Sequence, residues 1–180
     1  MITNFESLPT RSESGAIHVV VESPGGSRVK IKYEPGLRAF KLARPLIAGL
    51  VYPYDWGFIP STAAADGDPL DAMVFSDVPT YPGVVIECRA LGVLRLEQNA
   101  KGKKQRQRND RLIVVPVKLP RFDSFKKPGD LPARWRRELE EFFISATRFE
   151  NKDPRLLGWA GPQEGDRMIR KCIKGGEGCD

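Results

Sequence analysis

Asp66-Gly67-Asp68-Pro69-Leu70-Asp71 places three carboxylates within six residues, on a Gly-Pro turn that runs into the apolar stretch Ala72-Met73-Val74-Phe75. Like charges this close raise one another's pKa and push a loop apart. A hard divalent cation relieves that repulsion, and all-oxygen donors suit magnesium, manganese or calcium. The same residue types also make an ordinary acidic, solvated turn. The surrounding residues have to decide between the two. Upstream lie Glu22, Lys32, Glu34, Arg44 and Tyr52. Carboxylates for a cation, together with Lys, Arg and Tyr for anionic oxygens, form the inventory for phosphoryl transfer to water.

Other chemistries lack their residues. An EF-hand loop would want Gly sixth and Glu twelfth, where this chain has Asp71 and Asp77, with Pro69 inside. There is no G-x-x-x-x-G-K-[ST] and no G-x-S-x-G. One histidine, His18, and three cysteines without C-x-x-C spacing make a Cys/His zinc site improbable. Cys88, Cys172 and Cys179 fit reduced thiols.

The elements that must position these residues are short strands followed by helices. Ile17–Glu22 reads as a Val-rich strand, Pro24-Gly25-Gly26-Ser27 as a turn, and 29–34 as the second arm of a hairpin. In that arm Val29, Ile31 and Tyr33 alternate with Lys30, Lys32 and Glu34, which gives one wet, charged face. Pro35-Gly36 turns the chain into Ala39-Phe40-Lys41-Leu42 and Arg44, and 51–59 is aromatic-rich, with Pro53 implying an edge or bulge. Tyr52 could keep its hydroxyl available for a phosphate or a water. Val84–Leu96 reads as a strand with a bulge or bend at Gly92, and Leu112–Val115 as another. Asp130 is expected to cap a helix carrying Trp135, Leu139, Phe142, Phe143 and Ala146 on one face. Residues 151–161 read as a loop, and Pro162 opens a second helix with Met168, Ile169, Cys172 and Ile173 on one stripe. Strands first and helices last argue for an α+β, mainly β chain, compatible with a small closed barrel.

Combined, these pieces resemble the soluble, magnesium-dependent family I inorganic pyrophosphatases. The resemblance rests on Glu22 on its strand, Ile31-Lys32-Tyr33-Glu34, Tyr52-Pro53 ahead of Trp56-Gly57-Phe58-Ile59, the 66–71 string, and Gly92-Val93-Leu94. It covers Ile17 to Pro116, with Gly158-Trp159 as a later echo. It implies a five-stranded OB-like closed barrel with peripheral C-terminal helices, and hydrolysis of pyrophosphate to two phosphates. Asp66 and Asp71 would bind Mg2+, with Mn2+ as a substitute, and Asp68 would take the proton of the attacking water. Lys32, Arg44 and Tyr52 would contact phosphate oxygens, and Glu22 and Glu34 would line the pocket. Where the pattern has a further metal-binding Asp, this chain has Gln98 beside Glu97, and a later D-x-K appears as Asn109-Asp110-Arg111. Glu97 and Asp110 are the candidates to complete the metal set, and Arg111 to replace the Lys. Ala146-Thr147 stands where a Tyr-Lys pair is expected, with Arg148 as a stand-in, and Trp56 takes a Tyr position.

Hydrophobic residues are 41% and charged residues 29% of the 180, which suits one globular domain over 1–180, with 1–15 and 175–180 expected loose. The net charge of +6 comes from 29 basic against 23 acidic residues and allows an anionic partner. Lys101–Arg111 holds six Lys or Arg but no interleaved aromatic, so a base-stacking platform is missing. An OB-like nucleic-acid module using that loop is the alternative, along with a divergent phosphoanhydride hydrolase or a relative that has lost catalysis. No secretory signal or membrane span is visible, so the cytoplasm, away from membranes, is expected; a homo-oligomer is a separate expectation.

Overall fold

The computed structural model describes residues 4–100 and 105–173. Among these lie nine strands and two helices: β1 Ile17–Ser23, β2 Val29–Glu34, β3 Ala39–Pro45, β4 Asp55–Phe58, β5 Asp71–Val74, β6 Val85–Asn99, β7 Arg106–Arg108, β8 Arg111–Pro116, α1 Ala133–Ala146, β9 Arg155–Ala160 and α2 Pro162–Cys172. β1 pairs with β4, β4 with β5, β5 with β8 in parallel, β8 with β6, and β6 back with β1. The five pairings therefore return to their starting strand. β7 and β9 extend β6, while β2 and β3 form a separate two-stranded sheet.

Strand residues alternate between two apolar clusters. Met73, Phe75, Ile113 and Val115 pack with Leu139, Phe142 and Phe143 of α1. Ala72, Val74, Leu112 and Val114 pack with Ile169 and Cys172 of α2. The period-two geometry of a strand sends neighbours to opposite faces, so helices covering both clusters leave these strands dry on each side. Near-continuous apolar runs such as Leu112-Ile113-Val114-Val115 are the sequence consequence.

Several expectations need correcting. β1 and β2 do not form a hairpin ladder; β1 is claimed by β4 and β6, and β2 instead meets β3. Side chains make the β1–β2 link, with Ser23 Oγ accepting from Ile31 N at 2.9 Å and Glu22 Oε1 from Tyr33 N at 2.7 Å. Residues 151–161, expected as a loop, contain β9 paired to β6, with Gly158 at φ +96 and a register shift hiding the strand pattern. Asp130 does not cap α1. It ends a 3₁₀ turn, Pro128–Asp130, and accepts from Lys126 N and Lys127 N, while Pro132 holds the N-cap position. Phe5, in the expected loose arm, packs edge-on against Tyr33 and Phe40, each with centroids 5.3 Å away. Cys172 is disulfide-bonded, against the expectation of three reduced thiols, whereas Cys88 is free and buried. The tail at 175–180 and residues 101–104 of the basic loop lie outside the described residues.

The bulge expected at Gly92 is present as a register shift between β6 and β8. At Gly57 the constraint is closer still, since an added Cβ would lie 2.0 Å from the Val20 carbonyl oxygen. Only a hydrogen lets β4 lie this close to β1. Gly57→Ala should therefore lower stability by about 3 kcal/mol in urea denaturation, and a loss below about 1 kcal/mol would mean that β1 and β4 do not approach this closely.

Candidate active site

The acidic turn joins Ile59 to β5, and its tip is shaped by its own residues. Gly67 adopts φ +84, and Asp66 Oδ1 accepts from Asp68 N at 3.2 Å. Thr62 anchors the far side, its hydroxyl accepting from Leu70 N at 2.9 Å. The turn therefore carries Asp66 and Asp68 exposed at its tip and delivers Asp71 to the first position of β5.

Of the three carboxylates of the turn, Asp68 and Asp71 each meet a cation. Lys32, on the charged face of β2, donates to Asp68 Oδ2 at 2.6 Å. Burial pulls the Lys32 ammonium down, but Asp68, with Glu22 and Asp71 farther off, outweighs this and holds its pKa above the usual value. Asp71 is bonded by Arg111, the first residue of the neighbouring strand β8. Glu22 lies 4% exposed beneath this group. Burial raises its carboxyl from 4.5 to about 7, with the Asp71 charge adding to the rise and the Tyr33 hydrogen bond opposing it.

A pocket of about 50 Å³ opens beside the Arg111–Asp71 pair, with room for a few waters or an anion of that size. Arg44, Tyr52 and Arg111 line it as expected, and so do Lys30, Trp56 and Gln98. Arg44 donates to Ala146 O at 3.0 Å and pairs with Glu150. Tyr52, 5% exposed, has its ring 5.2 Å from Phe142, and burial pushes its hydroxyl up to about 12, so it remains a neutral hydrogen-bonding group. A larger cavity of about 360 Å³, bordered by Arg11, Cys88 and Asp166, contains none of these residues.

The structure gives other expected residues different surroundings. Leu96 and Gln98 line the pocket, so Glu97 between them points to the other face of β6, where Arg106 pairs with it at 3.1 Å. Asp110 accepts from Leu96 N at 2.9 Å and pairs with Arg108 at 2.7 Å. Glu34 is exposed at the far end of the β2 face, and Arg148 is exposed past the end of α1, where Thr147 reaches the pocket in its place. Sequence reasoning missed Lys30 and Lys152 as pocket residues. Lys30 was legible, being two residues from Lys32 on the same face. Lys152 was not, because nothing local marks the segment after α1 as returning to β2.

These surroundings decide which residues suit a divalent ion. Asp66 and Asp71 offer the hard oxygen donors such an ion takes. Glu97 and Asp110 do not fit, each being held by an arginine away from that turn. Among the described residues no three Asp, Glu, His or Cys side chains converge on one point.

Comparison with known proteins gives a consistent result. The family model described as inorganic pyrophosphatase matches residues 19–176. The chain is 37% identical to the inorganic pyrophosphatase of Synechocystis sp. over 171 residues, covering 95% of this chain and 98% of that one. It is also 37% identical to that of Thermus thermophilus over 176 residues, 96% and 97% of the two chains. The solved Thermus thermophilus structure superposes with a TM-score of 0.86 at 36% identity, over 95% and 97% of the two chains. That of Helicobacter pylori superposes at 0.83 and 28% identity, over 94% and 98%.

The Glu22 environment sets a pH dependence. Between pH 4.5 and about 7 the folded protein keeps a proton that the unfolded chain has released. Stability from this group is thus fullest below pH 4.5 and falls as pH rises through about 7, by about 3 kcal/mol. Glu22→Gln keeps the acceptor for Tyr33 N and removes the charge. In excess EDTA it should flatten that fall and raise stability at pH 8, and an unchanged pH profile in urea denaturation would contradict the raised carboxyl.

Proposed function

Since the chain belongs to the family I inorganic pyrophosphatases, we propose that Asp68 and the cations gathered around it carry the hydrolysis of pyrophosphate to two phosphates. The observation that supports this most is the contact of Lys32 with Asp68 at 2.6 Å, beside a pocket of basic groups. Asp68 sits at an exposed tip where water reaches it, and the Lys32 hydrogen bond orients it. In the reaction a water oxygen forms a bond to one phosphorus while the bridging P–O bond breaks. The water's proton passes to the Asp68 carboxylate, and the electron pair of the broken bond leaves with the departing phosphate. Lys32, Arg44, Tyr52 and Arg111 hold the phosphate oxygens, the cations by charge and Tyr52 by its neutral hydroxyl. Glu22, buried below, keeps β2 in position through Tyr33 N.

Asp66 and Asp71 would hold a divalent ion, magnesium first and manganese in its place, which when bound supplies positive charge toward the phosphate oxygens and makes water more acidic. The ring of five pairings is the basis for reading the strands as an OB-like closed barrel with the helices outside it. The whole chain acts as one domain, in the cytoplasm and as a homo-oligomer. For location, the supporting observation is limited to the lack, among the described residues, of any helix long and apolar enough to cross a membrane.

The nucleic-acid alternative is not favoured. Of the basic stretch, Arg106 and Arg108 are held by Glu97 and Asp110 outside the pocket lining, and no aromatic residue interleaves with the charges to stack a base.

Purified protein should release phosphate from pyrophosphate when magnesium or manganese is supplied and not in excess EDTA. Asp68→Asn should lower kcat by about 10²-fold or more with little change in thermal stability, as loss of a general base does. Full turnover by that variant would leave the reaction without its proton acceptor.

A further inference from the structure

Lys32 and Asp68 meet at the surface, with side chains 45% and 60% exposed. An ion pair this open does little to hold itself together, because water and salt screen it. Its geometry has to come from the two stretches of backbone that carry it. Those stretches belong to different units: Lys32 stands on the β2–β3 sheet, and Asp68 on the turn that follows Ile59.

A third segment bonds to both. Phe5–Ser7 forms a 3₁₀ turn, capped by the Asn4 side chain, which accepts from Glu6 N at 3.2 Å. On the hairpin side, the Phe5 ring rests against Tyr33 and Phe40, which are direct partners across β2 and β3. Tyr33 is 3% exposed and adjoins Lys32 in the chain. Neighbours on a strand point to opposite faces, so Phe5 packs the side of β2 away from Lys32. On the turn side, Glu6 O accepts from Ser61 N at 2.9 Å and Leu8 O from Ser61 Oγ at 2.8 Å, while Thr10 Oγ donates to Pro60 O at 3.0 Å. Ser61 has φ +54, a left-handed conformation that a side chain disfavours and that persists where the surroundings hold it. Here the arm supplies that hold. The next residue, Thr62, accepts from Leu70 N and so closes the base of the acidic turn.

We propose that the arm of residues 5–10 is the positioning element of the Lys32–Asp68 pair, with Phe5 as its contact on the hairpin and Ser61 as the residue that receives it on the turn. The inference rests on reading Asp68 as the proton acceptor for hydrolysis. It adds that residues far from the reacting atoms set where that carboxylate and its lysine stand.

Pyrophosphate turnover in magnesium and hydrogen-exchange mass spectrometry in excess EDTA test this. Phe5→Ala should lower kcat by about tenfold and change KM by less than about threefold, as a small misplacement outside the chemistry does. In a Lys32→Met background the same substitution should cost less than about twofold, because the pair through which it acts is gone. Phe5→Leu, which restores apolar contact, should recover most of the rate. The amides of Ala64, Gly67, Asp68 and Leu70 bond only within 62–70, yet their exchange should quicken by about fivefold or more in Phe5→Ala. An equal fall in kcat in both backgrounds, an undiminished kcat, or unchanged exchange in the turn overturns the proposal. Should Phe5→Ala fail to fold by circular dichroism, Ser61→Ala, which removes only the hydroxyl bonded to Leu8 O, takes its place with the same outcomes. If the unmodified protein releases no phosphate, the hydrolase reading fails, and exchange in the turn alone decides whether the arm braces it; the same holds if Lys32→Met turns over too slowly to compare.

Discussion

The parallel pairing of β5 with β8 is the constraint on which the site depends. Its register sets Ala72 against Leu112 and Met73 against Ile113, so the residues just before them, Asp71 and Arg111, begin adjacent strands side by side. A shift of one residue would turn Arg111 toward the opposite face and bury an unpaired charge among the apolar side chains there. Desolvating a guanidinium costs several kcal/mol, and an adjacent carboxylate with aromatic faces around it is the arrangement that offsets this. The apolar alternation holds the register. Ile113 and Val115 face one cluster while Leu112 and Val114 face the other.

The same pair links the packing of the protein to its electrostatics. Trp56 and Phe143, which flank Arg111, belong to the cluster that α1 closes, so the helix positions the charge as well as covering apolar surface. On the other side β2, in its own small sheet, brings Lys30 and Lys32 over the site and is tied to β1 by Glu22 and Ser23. A buried carboxyl supporting a strand of lysines gives the site a neutral or negative base according to pH. The basic excess in the composition is therefore not spread over a featureless surface. Part of it converges on one pocket, and part is consumed pairwise by Glu97, Asp110 and Asp153 along β6, β7 and β9.

The acidic turn illustrates how local and long-range effects divide the work. Gly67 and the Asp66 side chain shape the tip without outside help. Which carboxylate meets which cation is decided elsewhere. Asp68 and Lys32 lie 36 residues apart and Asp71 and Arg111 40 residues apart in the chain, and each pair forms only because separate sheets converge.

Read alone, the sequence established the bulge at Gly92 and the apolar face of α1, because periodicity and turn chemistry are local, and it offered Asp66, Asp68, Asp71, Lys32, Arg44 and Tyr52 as candidates through their motif spacing. It missed β9 and mispaired β1 with β2, since strand partners are chosen by long-range burial and not by neighbouring residues. It also placed Glu97 and Asp110 with the metal-binding carboxylates, which their residue type permits. Only the tertiary structure decided that Gln98 faces the pocket, that Glu97 turns away, and that Arg111 rests on Asp71. The side to which a strand residue points depends on its register with neighbours far along the chain, and one sequence read in order does not contain that register.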